Sequence, residues 1–198
     1  GVDVVFHPEP EEMYFPDFCT YADVDVVSDT LCGATRENHF RGVCTVVSKL
    51  FNIVLPDKAF FGQKDAQQLS IIRKMVRDMS YGIEIVGCPI VREADGLAKS
   101  SRNTYLNPEE RKAALILSRA VRLGQKMAED GEKDAGVIVN AMKAEIGTEP
   151  LAVIDYVDAV DMDTLEKVEK MQGTVLVAMA VYIGKTRLID NFIVKELK

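Results

Sequence analysis

The chain has 198 residues, 47% of them hydrophobic, with 24 basic and 31 acidic side chains and a formal charge of −7. That is enough chain for one good core or two small ones, in a composition ordinary for a globular protein. No basic block tracks a nucleic-acid backbone and no apolar run approaches the roughly 18 residues of a membrane span, so neither nucleic acid nor membrane is an expected partner.

In chain order, Gly1-Val2-Asp3-Val4-Val5-Phe6 reads as a short buried strand already under way at the first residue, with no initiator Met. A natural protein seldom starts inside a buried strand, so a fragment or a cleaved piece is expected. Residues 8–14 read as a loop with a helical turn, and 23–27 alternate as a half-buried strand. Ser28 is placed to cap a turn running to Leu31. From His39 to Val54 the apolar positions Val43, Val46, Val47, Leu50, Phe51 and Val54 fall at helical spacing, and Pro56 stops the helix. Residues 58–61 form an apolar strand, and Leu69, Ile72, Met75, Val76 and Met79 mark a second amphipathic helix from about Asp65, ended by Gly82. Residues 83–87 are another strand, so the order strand–helix–strand predicts a parallel sheet with a crossover helix.

Beyond Asn103 the pattern changes. Asn107-Pro108-Glu109-Glu110 combines an N-cap, a proline at the first helical position and acid in the first turn. One helix is expected from there to about Asp130 and another over 135–146. Strands follow at 153–157, 174–183 and 187–194, the last two joined around Gly184-Lys185 as an antiparallel hairpin. Helices followed by a hairpin are α+β organisation. The expected division is therefore an α/β unit over 1–90 and a smaller α+β unit over 91–198, with the joint near 91–104.

Two segments carry chemistry. Ala98-Lys99-Ser100-Ser101-Arg102-Asn103 places two hydroxyls and two fixed cations behind the loop Arg92-Glu93-Ala94-Asp95-Gly96. Hydroxyls and free backbone N–H groups are directional donors to phosphate oxygens, and Lys and Arg supply the charge. Phe61-Gly62-Gln63-Lys64-Asp65 is a strand-to-helix turn with a glycine and a lysine at the carboxyl end of the strand, where open α/β sheets bind nucleotides. Lys64 near a helix start is electrostatically unfavourable without an anion, whereas Asp65 reads equally as an N-cap. The cysteines Cys19, Cys32, Cys44 and Cys88 are scattered, with no C-x-x-C pair and no His at ligand spacing, so they read as free buried thiols and no protein metal site is expected. With no signal-peptide pattern, the expected location is the cytoplasm.

Gly62-Gln63-Lys64-Asp65 with Gln67-Gln68, Asp95-Gly96-Leu97-Ala98 and Ser100-Ser101-Arg102-Asn103 resemble the pantoate–β-alanine ligase family. His39-Phe40-Arg41-Gly42-Val43 and Arg187-Leu188-Ile189-Asp190-Asn191 also match, and the likeness runs through essentially the whole chain in order. The resemblance implies the C-terminal part of a Rossmann-like nucleotidyltransferase parallel sheet, followed by the α+β unit. It implies a cytoplasmic homodimer that takes ATP with Mg²⁺, pantoate and β-alanine, passes through pantoyl adenylate and releases AMP and pyrophosphate. It further implies that Lys64, Ser100, Ser101 and Arg102 are catalytic and that Gly62, Gln63, Lys64, Asp65, Val91, Lys99, Ser100, Ser101 and Arg102 hold ATP. Gln68 would bind pantoate's polar groups, and Val43, Val46 and Val47 are core residues with an edge walling its gem-dimethyl group. Lys99 departs from the Met or Leu usual in the family and adds a cation. His39 is expected to pack or cap locally, and Arg36 and Arg41 to make surface salt bridges. The family's His-x-Gly-His signature is not present, so residues 1–198 are expected to lack ligase activity alone. The alternatives are another adenylate-forming nucleotidyltransferase and a non-catalytic domain.

Overall fold

A computed structural model of the chain describes residues 1–25, 31 and 38–195. The expected cap at Ser28, residues 26–27 of the second expected strand, and Arg36 lie outside the described residues. The order is α1 (Pro10–Met13), α2 (His39–Val54), β1 (Lys58–Gly62), α3 (Ala66–Asp78), β2 (Glu84–Cys88), α4 (Pro108–Ala113), α5 (Leu115–Glu129), α6 (Ala135–Ile146), β3 (Ala152–Asp161), β4 (Thr174–Ile183) and β5 (Thr186–Lys195). Single turns of 3₁₀-helix occupy Gln63–Asp65 and Ser101–Tyr105.

The amino-terminal α/β part is a parallel pair, β1 beside β2, with α3 as the crossover. Its helices begin and end for local reasons. α2 stops where Leu55 adopts a left-handed conformation at φ 49° and its N–H bonds back to the Phe51 carbonyl, with Pro56 next. α3 ends at Asp78 rather than at Gly82. Ser80 takes the left-handed conformation at φ 57°, and the Tyr81 N–H returns 3.0 Å to the Val76 carbonyl. Residues 1–6 do not form the expected buried strand. Val2, Val4 and Val5 are each more than three-quarters exposed, because no described strand lies beside them to supply a ladder. Residues 23–25 likewise form no strand, although Val24 is buried.

The carboxyl-terminal part is richer than a hairpin. β3 pairs antiparallel with β4 and β4 with β5, so the order is β3-β4-β5. β3 extends to Asp161 and carries a bulge between Ile154 and Tyr156. The single helix expected over 107–130 is divided at Ala114 into α4 and α5, after the Asn107 capping box with Glu110 has set the start. α5 buries Ile116, Leu117, Ala120 and Val121, and α6 buries Ile138, Met142 and Ile146. Each of the larger side chains contributes about 1.5–3 kcal/mol by leaving water.

From Val175 to Val181 β4 is buried on both faces. Val175, Val177, Met179, Val181 and Ile183 pack with α5 and α6. Leu176 and Ala178 point the other way, into a second cluster with Phe40, Phe51 and Ile72 from α2 and α3. Alternation of side chains along one strand thus joins two cores. Cys44 lies fully buried in the second, where burial, reinforced by the Asp23 charge, pushes its thiol pKa up to about 11. The other thiols depart from the buried reading: Cys19 is exposed on the irregular amino-terminal segment and Cys88 is half-buried at the end of β2, while Cys32 lies outside the described residues.

Candidate active site

Two open clefts meet at the carboxyl end of β1. The first, about 560 Å³, is bordered by Lys64, Asp65 and Gln68 from the turn into α3, by His39, by Arg102, and by Tyr156, Arg187, Asp190 and Asn191 from the sheet. The second, about 770 Å³, is bordered by Gly62, Lys64, Asp65, Cys88, Val91, Lys99, Ser100 and Ser101. Lys64 and Asp65 line both, so the strand-to-helix turn is the hinge between them.

Gly62 has an ordinary extended backbone at φ −70°, and a Cβ built on it would meet nothing within 4 Å. Its absent side chain leaves room in the second cleft. Asp65 occupies the N-cap position of α3, yet its carboxylate makes no capping hydrogen bond. The capping reading of Asp65 therefore has no geometric support, and the carboxylate faces the clefts. Gln63 stands in the same 3₁₀ turn, where its carbonyl is bound by Asn191.

The second wall is a narrow loop. Arg92 bridges Ala98 in antiparallel fashion, the Glu93 N–H donates 2.8 Å to the Leu97 carbonyl, and the Lys99 N–H donates 2.9 Å to the Val91 carbonyl. Gly96 closes it at φ 96°, a conformation that L side chains rarely take. Ser100 then caps the 3₁₀ turn, its Oγ accepting from the Arg102 N–H at 3.2 Å. The Asn103 amide donates to Glu93 Oε1 at 2.9 Å and to the Ala98 carbonyl at 3.1 Å. Arg111 bridges Glu93 at 3.0 Å and Asp95 at 2.8 Å. The Asn103 amide first, and Arg111 second, hold the Glu93 carboxyl below the usual glutamate range.

The charges around the clefts divide sharply. Arg92 is paired with Asp190, Arg111 with Glu93 and Asp95, and Arg187 with Asp155. Lys64, Lys99 and Arg102, by contrast, have no ion-pair or hydrogen-bond partner for their side chains among the described residues. Among the described residues, then, three uncompensated cations border one joint in a chain of net charge −7. Such an arrangement suits an anionic ligand.

Lys64, Asp65, Gln68 and Arg102 come together at the first cleft, and Gly62, Lys64, Asp65, Val91, Lys99, Ser100 and Ser101 at the second. Val43, Val46 and Val47 do not border either. Val47 is buried in the α2–α3 core, and Val43 and Val46 pack against it partly buried. The Arg41 guanidinium lies 4.0 Å from the Tyr21 ring centre, a cation–π stack, and forms no salt bridge among the described residues. His39 opens α2, with its ring 4.9 Å from that of Phe40, and borders the first cleft.

Arg92, Asp155, Arg187, Asp190 and Asn191 were not legible as site residues. The β3 bulge places Asp155 where two bonds from Arg187, at 2.9 and 2.8 Å, fall on one carboxylate oxygen. Asp190, 1% exposed, accepts a bidentate pair from Arg92 at 2.7 and 3.0 Å, and loss of Arg92 would leave a buried charge whose stranding costs about 3–5 kcal/mol. Asn191, 3% exposed, donates to the Gln63 and Lys64 carbonyls at 3.1 and 2.9 Å. The Arg187–Asn191 run was visible as a matching motif, but nothing local in it indicates these roles.

Fold and cleft define an α/β protein whose candidate site lies at the carboxyl end of a parallel strand. The family model described as pantoate-beta-alanine ligase matches residues 1–193, and the chain belongs to that family of ligases. Pantothenate synthetase of Clostridium acetobutylicum is 59% identical over 192 residues, which are 97% of this chain and 68% of that protein. The crystal structure of pantothenate synthetase from Thermus thermophilus superposes with a TM-score of 0.93 at 41% identity, covering 97% of this chain and 70% of that one. A pantoate-beta-alanine ligase from Francisella tularensis, complexed with beta-gamma ATP and beta-alanine, matches with a TM-score of 0.67 at 27% identity, over 92% of this chain and 61% of that one.

Proposed function

We propose that the chain takes part in the ATP-dependent joining of pantoate to β-alanine. Pantoate's carboxylate oxygen attacks the α-phosphorus of ATP, forming the acyl–phosphate bond of pantoyl adenylate as the bond to pyrophosphate breaks. The amine of β-alanine then attacks the acyl carbon, the amide forms, AMP leaves and the amine gives up a proton. The uncompensated trio Lys64, Lys99 and Arg102 carries this reading, because an anion attacking a polyanion needs positioned positive charge above all.

In this reading Lys64, at the joint of the clefts, draws the triphosphate and stabilises charge on the departing pyrophosphate. Ser100 and Ser101 donate hydroxyl hydrogens to phosphate oxygens, and Arg102 closes over them from the first cleft. Gly62 gives room, Gln63 and Val91 contribute backbone, and Lys99 adds a further cation. Gln68, a neutral amide, hydrogen-bonds pantoate without forming a competing ion pair. Val43, Val46 and Val47 support the pocket floor from behind, through the α2 core. Mg²⁺ enters with ATP. Among the described residues no group of three or more His, Cys, Asp or Glu side chains is poised to hold a metal. Asp65 offers one carboxylate at the joint, which fits an ion held mostly by phosphates. When bound, the ion would neutralise charge on the leaving pyrophosphate. A cytoplasmic homodimer belongs to the same reading and rests on the family resemblance; no helix among the described residues is long and apolar enough to cross a membrane.

The experiment is pantoate-dependent exchange of labelled pyrophosphate into ATP. Exchange that requires pantoate and not β-alanine supports adenylate formation; exchange that ignores pantoate overturns it.

A further inference from the structure

We infer that Asp190 and Asn191 of β5 are positioning residues that hold the two walls of the cleft in register. The inference rests on the proposed reading for its ligand and on geometry alone for its mechanics.

One wall is the turn carrying Lys64, at the end of β1; the other is the 91–102 segment that follows β2. The Asn191 amide nitrogen has two hydrogens, and both are spent on that first turn, at the Gln63 and Lys64 carbonyls. Those two acceptors also fix the amide's orientation, since only its NH₂ end can serve a carbonyl. Next to it, Asp190 Oδ1 accepts from the Asn191 N–H at 2.8 Å and from Arg92 at 3.0 Å, while Oδ2 accepts from Arg92 at 2.7 Å. Arg92 also donates 3.1 Å to the Gly96 carbonyl, so it clamps the loop that delivers Lys99 and Ser100. Two consecutive residues thus reach one wall each, across 127 residues to Lys64 and 98 residues to Arg92.

Packing alone does not account for the pair. Asp190 and Asn191 are 1% and 3% exposed, where an apolar residue would bury as well without a polar group to satisfy. Asn191 Oδ1 is buried with no hydrogen-bond partner among the described residues, so the amide's acceptor goes unused while both donors act. The side chain present is the one whose N–H groups the turn requires.

The test combines amide hydrogen exchange with a titration of Mg-ATP, using Asn191→Asp, Asn191→Leu, Asp190→Asn and Arg92→Lys. The Asn191 variants are expected to speed exchange at 62–66 and the Asp190 and Arg92 variants at 92–102, with β3 and β4 left protected. Each is expected to weaken Mg-ATP binding about tenfold or more, since small displacements of positioning groups cost that much. Unchanged exchange in those two segments, or loss of protection spread evenly through β3–β5, would overturn the inference. If a β5 variant does not fold, Arg92→Lys decides, because its change lies outside the sheet. A wild-type chain that binds no ATP would sink the nucleotide reading, while the exchange pattern would still settle the positioning claim.

Discussion

Lys64 stands two residues before α3, with its positive charge at the amino end of the helix, where the dipole opposes it. A cation placed against the dipole, with no carboxylate partner among the described residues, is most simply explained by an anionic ligand. In an enzyme competent for the whole ligation, Lys64→Ala and Arg102→Ala are therefore expected to slow adenylate formation by roughly 10²–10³-fold, the equivalent of about 2.7–4 kcal/mol of lost transition-state stabilisation, with the thermal midpoint unchanged. Pyrophosphate release at near wild-type rates in either variant would remove these residues from the mechanism. Gln68 calls for a different readout. Gln68→Leu is expected to raise the pantoate requirement far more than the ATP requirement, because a buried substrate polar group without a partner costs about 1–3 kcal/mol. Equal effects on both substrates would make Gln68 a nucleotide or structural residue. At this scale the motif was legible because Gly62, Lys64 and Asp65 are adjacent in sequence. The apolar face of Val43, Val46 and Val47 was ambiguous, since one helical stripe serves a core and a pocket wall alike.

Among the elements, the loop from Val91 to Asn103 shows how local chemistry fixes a cleft wall. Glu93 receives the Asn103 amide and Arg111, and both stabilise its ionised form. Its folded pKa lies below the ordinary value, so in the interval between the two the unfolded chain binds more protons than the folded one. The stabilisation is complete above the ordinary glutamate range and is lost as pH falls through the depressed folded value. Thermal midpoints measured from neutral to acid pH are expected to drop less steeply in Glu93→Gln than in the wild type over that window; parallel curves would contradict the assignment. Packing between α5 and α6 depends on a close approach at Gly124, where a Cβ would lie 2.6 Å from Met142 Sδ and 3.1 Å from Phe192. Gly124→Ala is expected to destabilise the protein by about 1–3 kcal/mol through overpacking, read as a lowered thermal midpoint. Periodicity gave α2, α6, β4 and β5 nearly to the residue, and the Asn107-Pro108 cap gave the start of α4. The division of α4 from α5 at Ala114 was hidden, because no glycine or proline marks it.

Across the whole molecule, the sheet β3-β4-β5 joins what the sequence separates. We propose residues 1–90 and 91–198 as the two units, with Ser100, Ser101 and Arg102 at their joint; Leu176 and Ala178 of the second nonetheless enter the core of α2 and α3. That sharing brings β5 beside the Lys64 turn. It was invisible in the sequence, where contacts separated by 98 and 127 residues leave no periodic trace. The expected strand over 1–6 failed for the complementary reason: a run of apolar residues is a strand only where a neighbour receives its backbone bonds. The clefts themselves follow from the parallel strand end, which was legible, and from its closure by a distant strand, which was not. The most direct measurement is a crystal structure of the chain soaked with a non-hydrolysable ATP analogue and pantoate. The account predicts phosphate oxygens within hydrogen-bonding distance of Lys64, Ser100, Ser101 and Arg102, with pantoate against Gln68. A nucleotide bound elsewhere, with those side chains left facing solvent, would contradict it.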